Sequence, residues 1–308
     1  MCSTRMDDMK EFEKLLEDAP VLLDGATGTN LMAAGMPRGC CVEAWMLAHE
    51  DAVIRLQSAY AAAGSRIIYA PTFTAQPGRL ARFGQDEQTE EINARLVWLS
   101  RKAAPDCLIA GSMATMVGIA DVRSKAGFEE AVSQYRRQID GLLAGGADVL
   151  IGETLMSKGD ALAILQAAGG ELPVLLSFTL DTDGRLRSGE ETQEVFAELE
   201  ESGALALGVN CIPADEALPA LVRRMKTWTA LPLLVKPNAG RPRNENGSVN
   251  TYPINPVQFA DVLLDCAEEG AALLGGCCGT TPEYIALLAR RMSLRNKDER
   301  SLTDILSD

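Results

Sequence analysis

The chain has 308 residues, 47% of them hydrophobic, and a formal net charge of −14. Such a length suits one α/β domain with a large core, since an α/β barrel typically takes about 250 residues. The acidic balance excludes a basic phosphate-binding face, and with it nucleic acid as a partner. Residues 1–20 lack the apolar stretch of a secretion signal, and no run of about 18 apolar residues offers a membrane span, so a cytoplasmic enzyme is expected.

Eight short apolar runs follow in order: Val21–Asp24, Arg66–Ala70, Leu108–Ser112, Asp148–Gly152, Val174–Thr179, Ala204–Val209, Leu233–Lys236 and Ala272–Gly275. Each is apolar on both faces and bounded by turn residues, as a buried parallel strand should be. Amphipathic helices lie between them. Asp51–Ala63 gathers Val53, Leu56 and Tyr60 on one face and stops at Gly64; Gly127–Ala144 stops at Gly145-Gly146; Pro256–Glu269 stops at Gly270. Glycine there is the expected left-handed cap. Eight βα units in series predict a single-domain (β/α)8 TIM barrel over residues 19–292, with a doubly wound open sheet as the alternative. Residues 1–18 read as an N-terminal extension or helix, and 293–308 as a charged C-terminal tail.

Polar and sulfur-bearing residues gather just after the strands. Asp24-Gly25-Ala26-Thr27-Gly28-Thr29 follows the first, Thr72-Phe73-Thr74 the second, Glu153-Thr154 the fourth and Asn210-Cys211 the sixth. Pro237-Asn238-Ala239-Gly240 follows the seventh and Gly276-Cys277-Cys278-Gly279-Thr280-Thr281 the eighth. Strand C-terminal ends are where α/β barrels build active sites. The one histidine, His49, sits in a helical-looking surface stretch, so neither a histidine triad nor a histidine-rich metal site is available.

Eight cysteines in a reducing compartment are not a disulfide framework, and several should be small buried hydrophobes. Cys277 and Cys278, held in a glycine-flanked turn, can instead converge on one ion with Cys211 from two strands away. That describes a three-thiolate zinc site with an open fourth position, as in catalytic zinc. Thiolates are soft ligands and zinc is redox-inert, so Zn2+ suits a site that handles a thiol. Asp24 and Glu153 at strand ends can bind a substrate ammonium, or serve as an N-cap and a rim ion-pair partner. The turn Gly25–Thr29 opens a helix whose amides can receive a carboxylate. It lacks the lysine of a phosphate loop.

These motifs resemble the homocysteine S-methyltransferase family over residues 19 to 292, above all in GVNC (Gly208–Cys211) and GGCCGTTPEYI (Gly275–Ile285). The resemblance implies zinc on Cys211, Cys277 and Cys278, and homocysteine held by Asp24, Gly25, Ala26, Thr72 and Glu153. KPNAG further resembles the methionine synthase branch, whose asparagine can take zinc's fourth position; that residue is Asn238. LLDGATGTNLMAAGMPRGCCVEAW points to the same branch, although Pro71 in IIYAPTFTAQ stands where that branch has asparagine. The expected reaction is methyl transfer to the homocysteine thiol, giving methionine, with a separate methylcorrinoid protein as donor. The alternatives are a sulfonium donor such as S-methylmethionine, betaine, a related thiol acceptor, or a non-catalytic metal-binding barrel.

Overall fold

The computed structural model describes residues 10–181, 183–245 and 249–306. Eight parallel strands form one sheet: β1 (Val21–Leu22), β2 (Ile67–Ala70), β3 (Leu108–Ala114), β4 (Val149–Leu155), β5 (Val174–Phe178), β6 (Ala206–Pro213), β7 (Leu233–Asn238) and, after a small antiparallel pair β8 (Arg243–Glu245) and β9 (Val249–Thr251), β10 (Ala271–Leu274). Neighbours pair in sequence order from β2 to β7, then β7 to β10 and β10 to β1. A parallel bridge from Leu23 to Ile67 joins β1 to β2 and closes the ring. That bridge rules out the open-sheet alternative.

The helices fall close to the expected spans, at Glu50–Ala62, Lys125–Gly145 and Pro256–Glu268. Gly64, Gly146 and Gly270 cap them in the left-handed region, with φ of 109°, 83° and 100°. The cap after the second is therefore Gly146, with Gly145 still helical; a Cβ on Gly145 would lie 2.7 Å from the Ala94 carbonyl oxygen of the neighbouring helix. The last helix runs Pro282–Leu306, so it continues through the charged residues after Ser293.

Inside the ring, alternate strand residues make one apolar cluster of Val21, Leu23, Ile67, Tyr69, Leu108, Ala110, Val149, Ile151, Leu175, Ala206, Leu234 and Leu273. Phe12 and Leu15, from a helical stretch at 10–16, pack into the same cluster and plug its N-terminal end. Strand side chains alternate with period two. One step further along, that phase brings Ser112, Glu153, Ser177, Asn210 and Lys236 into the interior. The barrel is thus apolar at its base and polar toward its C-terminal mouth. For this reason β4, β6 and β7 extend past their apolar runs, and Glu153, Asn210, Cys211 and Asn238 lie within strands rather than after them.

Candidate metal and substrate site

Three sulfurs meet at the mouth. Cys211 Sγ lies 3.0 Å from Cys277 Sγ, Cys277 Sγ lies 4.0 Å from Cys278 Sγ, and all three fall within 4.8 Å of one another. The turn carrying the pair is pinned on both sides. The Cys277 amide donates to the Pro237 carbonyl at 2.7 Å, and the Ala239 amide donates to the Cys278 carbonyl at 3.0 Å. Gly279 must be glycine here: its φ is +83°, and a Cβ would lie 2.2 Å from the Tyr252 ring.

The sulfurs share protons unequally. Hydrogen bonds from Cys211 and Cys277 push the Cys278 thiol far down, while its bond to Cys277, then its bond to Cys278 and burial, push Cys211 up. One thiolate served by neighbouring S–H groups is a cluster in which a cation can replace the shared protons. Asn238 adds a second sign of fit. Its side chain is buried, and its Oδ1 has no hydrogen-bond partner. The three converging sulfurs fit a soft or borderline metal ion.

Below the sulfurs lies a buried ionic layer that the sequence reading missed. Lys236 Nζ sits 3.2 Å from Asp24 Oδ1 and 4.6 Å from the centre of the Tyr69 ring, with only 4% and 1% of the Lys236 and Asp24 side chains exposed. Asp24 Oδ2 also accepts the Tyr69 amide at 2.9 Å. Burial works against both charges. For Lys236 the carboxylates of Asp24 and Glu153 outweigh it, and its pKa rises; for Asp24 burial outweighs the ammonium, and its pKa also rises. Glu153 accepts the Ser112 hydroxyl at 2.5 Å. Burial, opposed by Lys236, pushes its pKa up to about 7. The signal available in the sequence was a lysine closing an otherwise apolar buried run, LLVK.

The other expected binding residues are placed as follows. Thr72 is fully buried; its hydroxyl donates to the Ser112 carbonyl at 2.8 Å and accepts the Ser112 amide at 3.0 Å. The Ala26 amide donates to Thr280 Oγ1 at 3.1 Å, so it is already engaged. Gly25 packs under Tyr60, where a Cβ would come within 2.5 Å of the phenol oxygen. The helix after this turn, Gly28–Ala33, is short and has no side-chain cap. Cys41 lies apart from the cluster, donating to Gln85 Oε1 at 3.3 Å. His49 is exposed and stacks on Trp45.

Loops after β3, β4 and β5 frame an open cleft of about 560 Å3, lined by Val117, Ile119, Arg123, Met156, Ser157 and Arg187 among others and by none of the site residues named above. No helix among the described residues is long and apolar enough to cross a membrane.

A sequence model of the homocysteine S-methyltransferase family matches residues 21–292. The homocysteine S-methyltransferase of Escherichia coli is 33% identical over 300 residues, covering 88% of this chain and 94% of that protein. The methionine synthase of Mycobacterium leprae is 27% identical over 294 residues, but the match spans only 24% of its length. Among solved structures, the homocysteine methyltransferase MmuM of Escherichia coli in its metallated form superposes with a TM-score of 0.78 at 29% identity, covering 90% of this chain and 98% of that one.

Proposed function

This chain belongs to the homocysteine S-methyltransferase family, and on that premise we propose that it methylates homocysteine to methionine at a zinc held by Cys211, Cys277 and Cys278, with Asn238 as a fourth ligand. The carrying observation is the convergence of the three sulfurs within 4.8 Å at the barrel mouth, directly over a charged floor. When bound, zinc supplies the Lewis acidity that lets a substrate thiol lose its proton near neutral pH.

The chain's own residues bind and orient. Glu153 receives the substrate ammonium. Asp24 is already paired with Lys236 and sets the charge of the floor, so its part in substrate binding runs through Lys236 and the turn Gly25-Ala26. Ser112 holds Glu153 in place. The apolar tier below keeps water from entering through the base.

The methyl donor in this reading is a methylated corrinoid carried by a separate protein. That choice rests on the motifs shared with the methionine synthase branch, KPNAG and LLDGATGTNLMAAGMPRGCCVEAW; a docking partner needs a broad face while a small donor needs an enclosed second pocket. Arg187, Arg241 and Arg243 are exposed around this mouth and offer positive charge to such a partner. The test is methionine formation from homocysteine with a methylated corrinoid protein, S-methylmethionine and betaine in parallel. Turnover with the corrinoid protein is expected; efficient turnover with S-methylmethionine alone overturns the choice of donor.

Glu153 gives a sharper measurement. Its carboxyl ionises at about pH 7, and only the ionised form pairs with an ammonium. Calorimetric binding of L-methionine should therefore tighten by up to about tenfold from pH 6 to pH 8. In Glu153→Gln that rise disappears, and affinity at pH 8 falls about ten- to a hundredfold, the worth of a charge-assisted hydrogen bond. An unchanged affinity in the variant would assign Glu153 to structure.

A further inference from the structure

Among the described residues, two that are not glycine have positive φ: Thr154 at 55° and Cys211 at 56°. A β-branched threonine in that region is a genuine outlier. Both residues sit where strand register slips, in β4 between Gly152 and Leu155 and in β6 between Asn210 and Pro213. A bulge of this kind re-aims a side chain. By strict alternation Asn210 points inward and Cys211 outward, toward the helices; the slip instead brings Cys211 Sγ to 3.0 Å from Cys277 Sγ.

The two slips are tied together by one fully buried side chain. Asn210 Oδ1 accepts the Thr154 amide at 2.8 Å and the Ser177 hydroxyl at 2.9 Å, and its Nδ2 donates to Thr154 Oγ1 at 2.8 Å. Ser177 also donates to the Gly152 carbonyl at 3.3 Å. The clamp therefore spans β6, β5 and β4. One neighbour of its anchor residue is Glu153, and the neighbour of Asn210 itself is Cys211. It needs both a donor and an acceptor on one planar group, which a primary amide supplies.

We infer that Asn210 is a positioning residue that locks the bulges of β4 and β6 in one register, so that the Glu153 carboxylate and the Cys211 sulfur are fixed relative to each other. Substrate-amine recognition and metal retention are thereby set by the same side chain. This rests on the proposed roles of Glu153 and Cys211.

The test uses the metal-free full chain titrated with Co2+, reading the thiolate-to-cobalt absorption band and the affinity against a chromophoric chelator. The homocysteine KM of the zinc-loaded protein and the thermal melt are measured alongside. In Asn210→Ala, cobalt affinity should fall about tenfold or more, as for other groups that orient metal ligands, and KM should rise several-fold, in protein still folded at the assay temperature. A lowered melting temperature with both values unchanged, or a change in only one of them, overturns the inference. If Asn210→Ala does not fold, Thr154→Val is read in the same way: it removes one of the three bonds at constant shape and should lose several-fold on both measures, and no loss on either again overturns it. A wild-type protein without the thiolate-to-cobalt band would instead refute the metal site itself, and the positioning role with it.

Discussion

Replacing Cys277 with alanine should strip the chain of metal and abolish methyl transfer while the barrel stays folded. Cys277 is the middle sulfur, 3.0 Å from Cys211 and 4.0 Å from Cys278. Its removal takes away one of the three sulfurs that lie within 4.8 Å of one another. Thiolates supply the hold on a soft or borderline ion, and a neutral amide oxygen is a poor substitute for the missing sulfur, so the site should empty. Elemental analysis should find about one metal per wild-type chain and close to none in the variant. Folding should survive, because the apolar cluster inside the closed ring contains none of the metal-ligating residues, unlike a zinc finger. Circular dichroism checks that half. Stoichiometric zinc in the Cys211→Ala, Cys277→Ala double variant would remove the basis for the site.

Lys236→Met should be the most destabilising change at the barrel floor. The substitution keeps the length of the side chain but leaves Asp24 buried with no cation at 3.2 Å. Breaking a buried ion pair from one side typically costs about 3–5 kcal/mol, because the remaining charge has neither solvent nor partner. Adding Asp24→Asn should return much of that loss, since the pair is then removed from both sides. Urea unfolding of the four proteins of this cycle gives the coupling directly. If Lys236→Met costs no more than a typical surface change, Lys236 is not the counter-ion that holds this floor.

Some of these features were legible in the sequence and others were not. The cysteines could be read because adjacency, flanking glycines and strand-end placement all point to one chemistry. The barrel could be read because eight apolar runs are separated by amphipathic helices of regular length. Lys236 gave only a weak sign, since a lysine at a strand end ordinarily faces water; its inward phase depends on register with β6 and β10. Thr154 and Cys211 gave none, because nothing local marks a threonine or a cysteine for positive φ. The long-range bonds of Asn210 impose it, across 56 residues of chain in one direction. The Ala26 amide is a similar case: its partner, Thr280, lies 254 residues away.

Phe12 and Leu15 carry a practical consequence. The family match begins at residue 21, yet the packed interior begins earlier, with two side chains that stopper the base of the ring. The unit recognised by homology is therefore smaller than the unit that folds. A fragment cut at Val21 would open the floor of the barrel to solvent beneath Val149, Leu175 and Leu273, and water admitted there would lie one apolar tier from the Lys236 and Asp24 charges. Excision, fusion and domain transplantation of this barrel should take their boundary from the stopper rather than from the alignment.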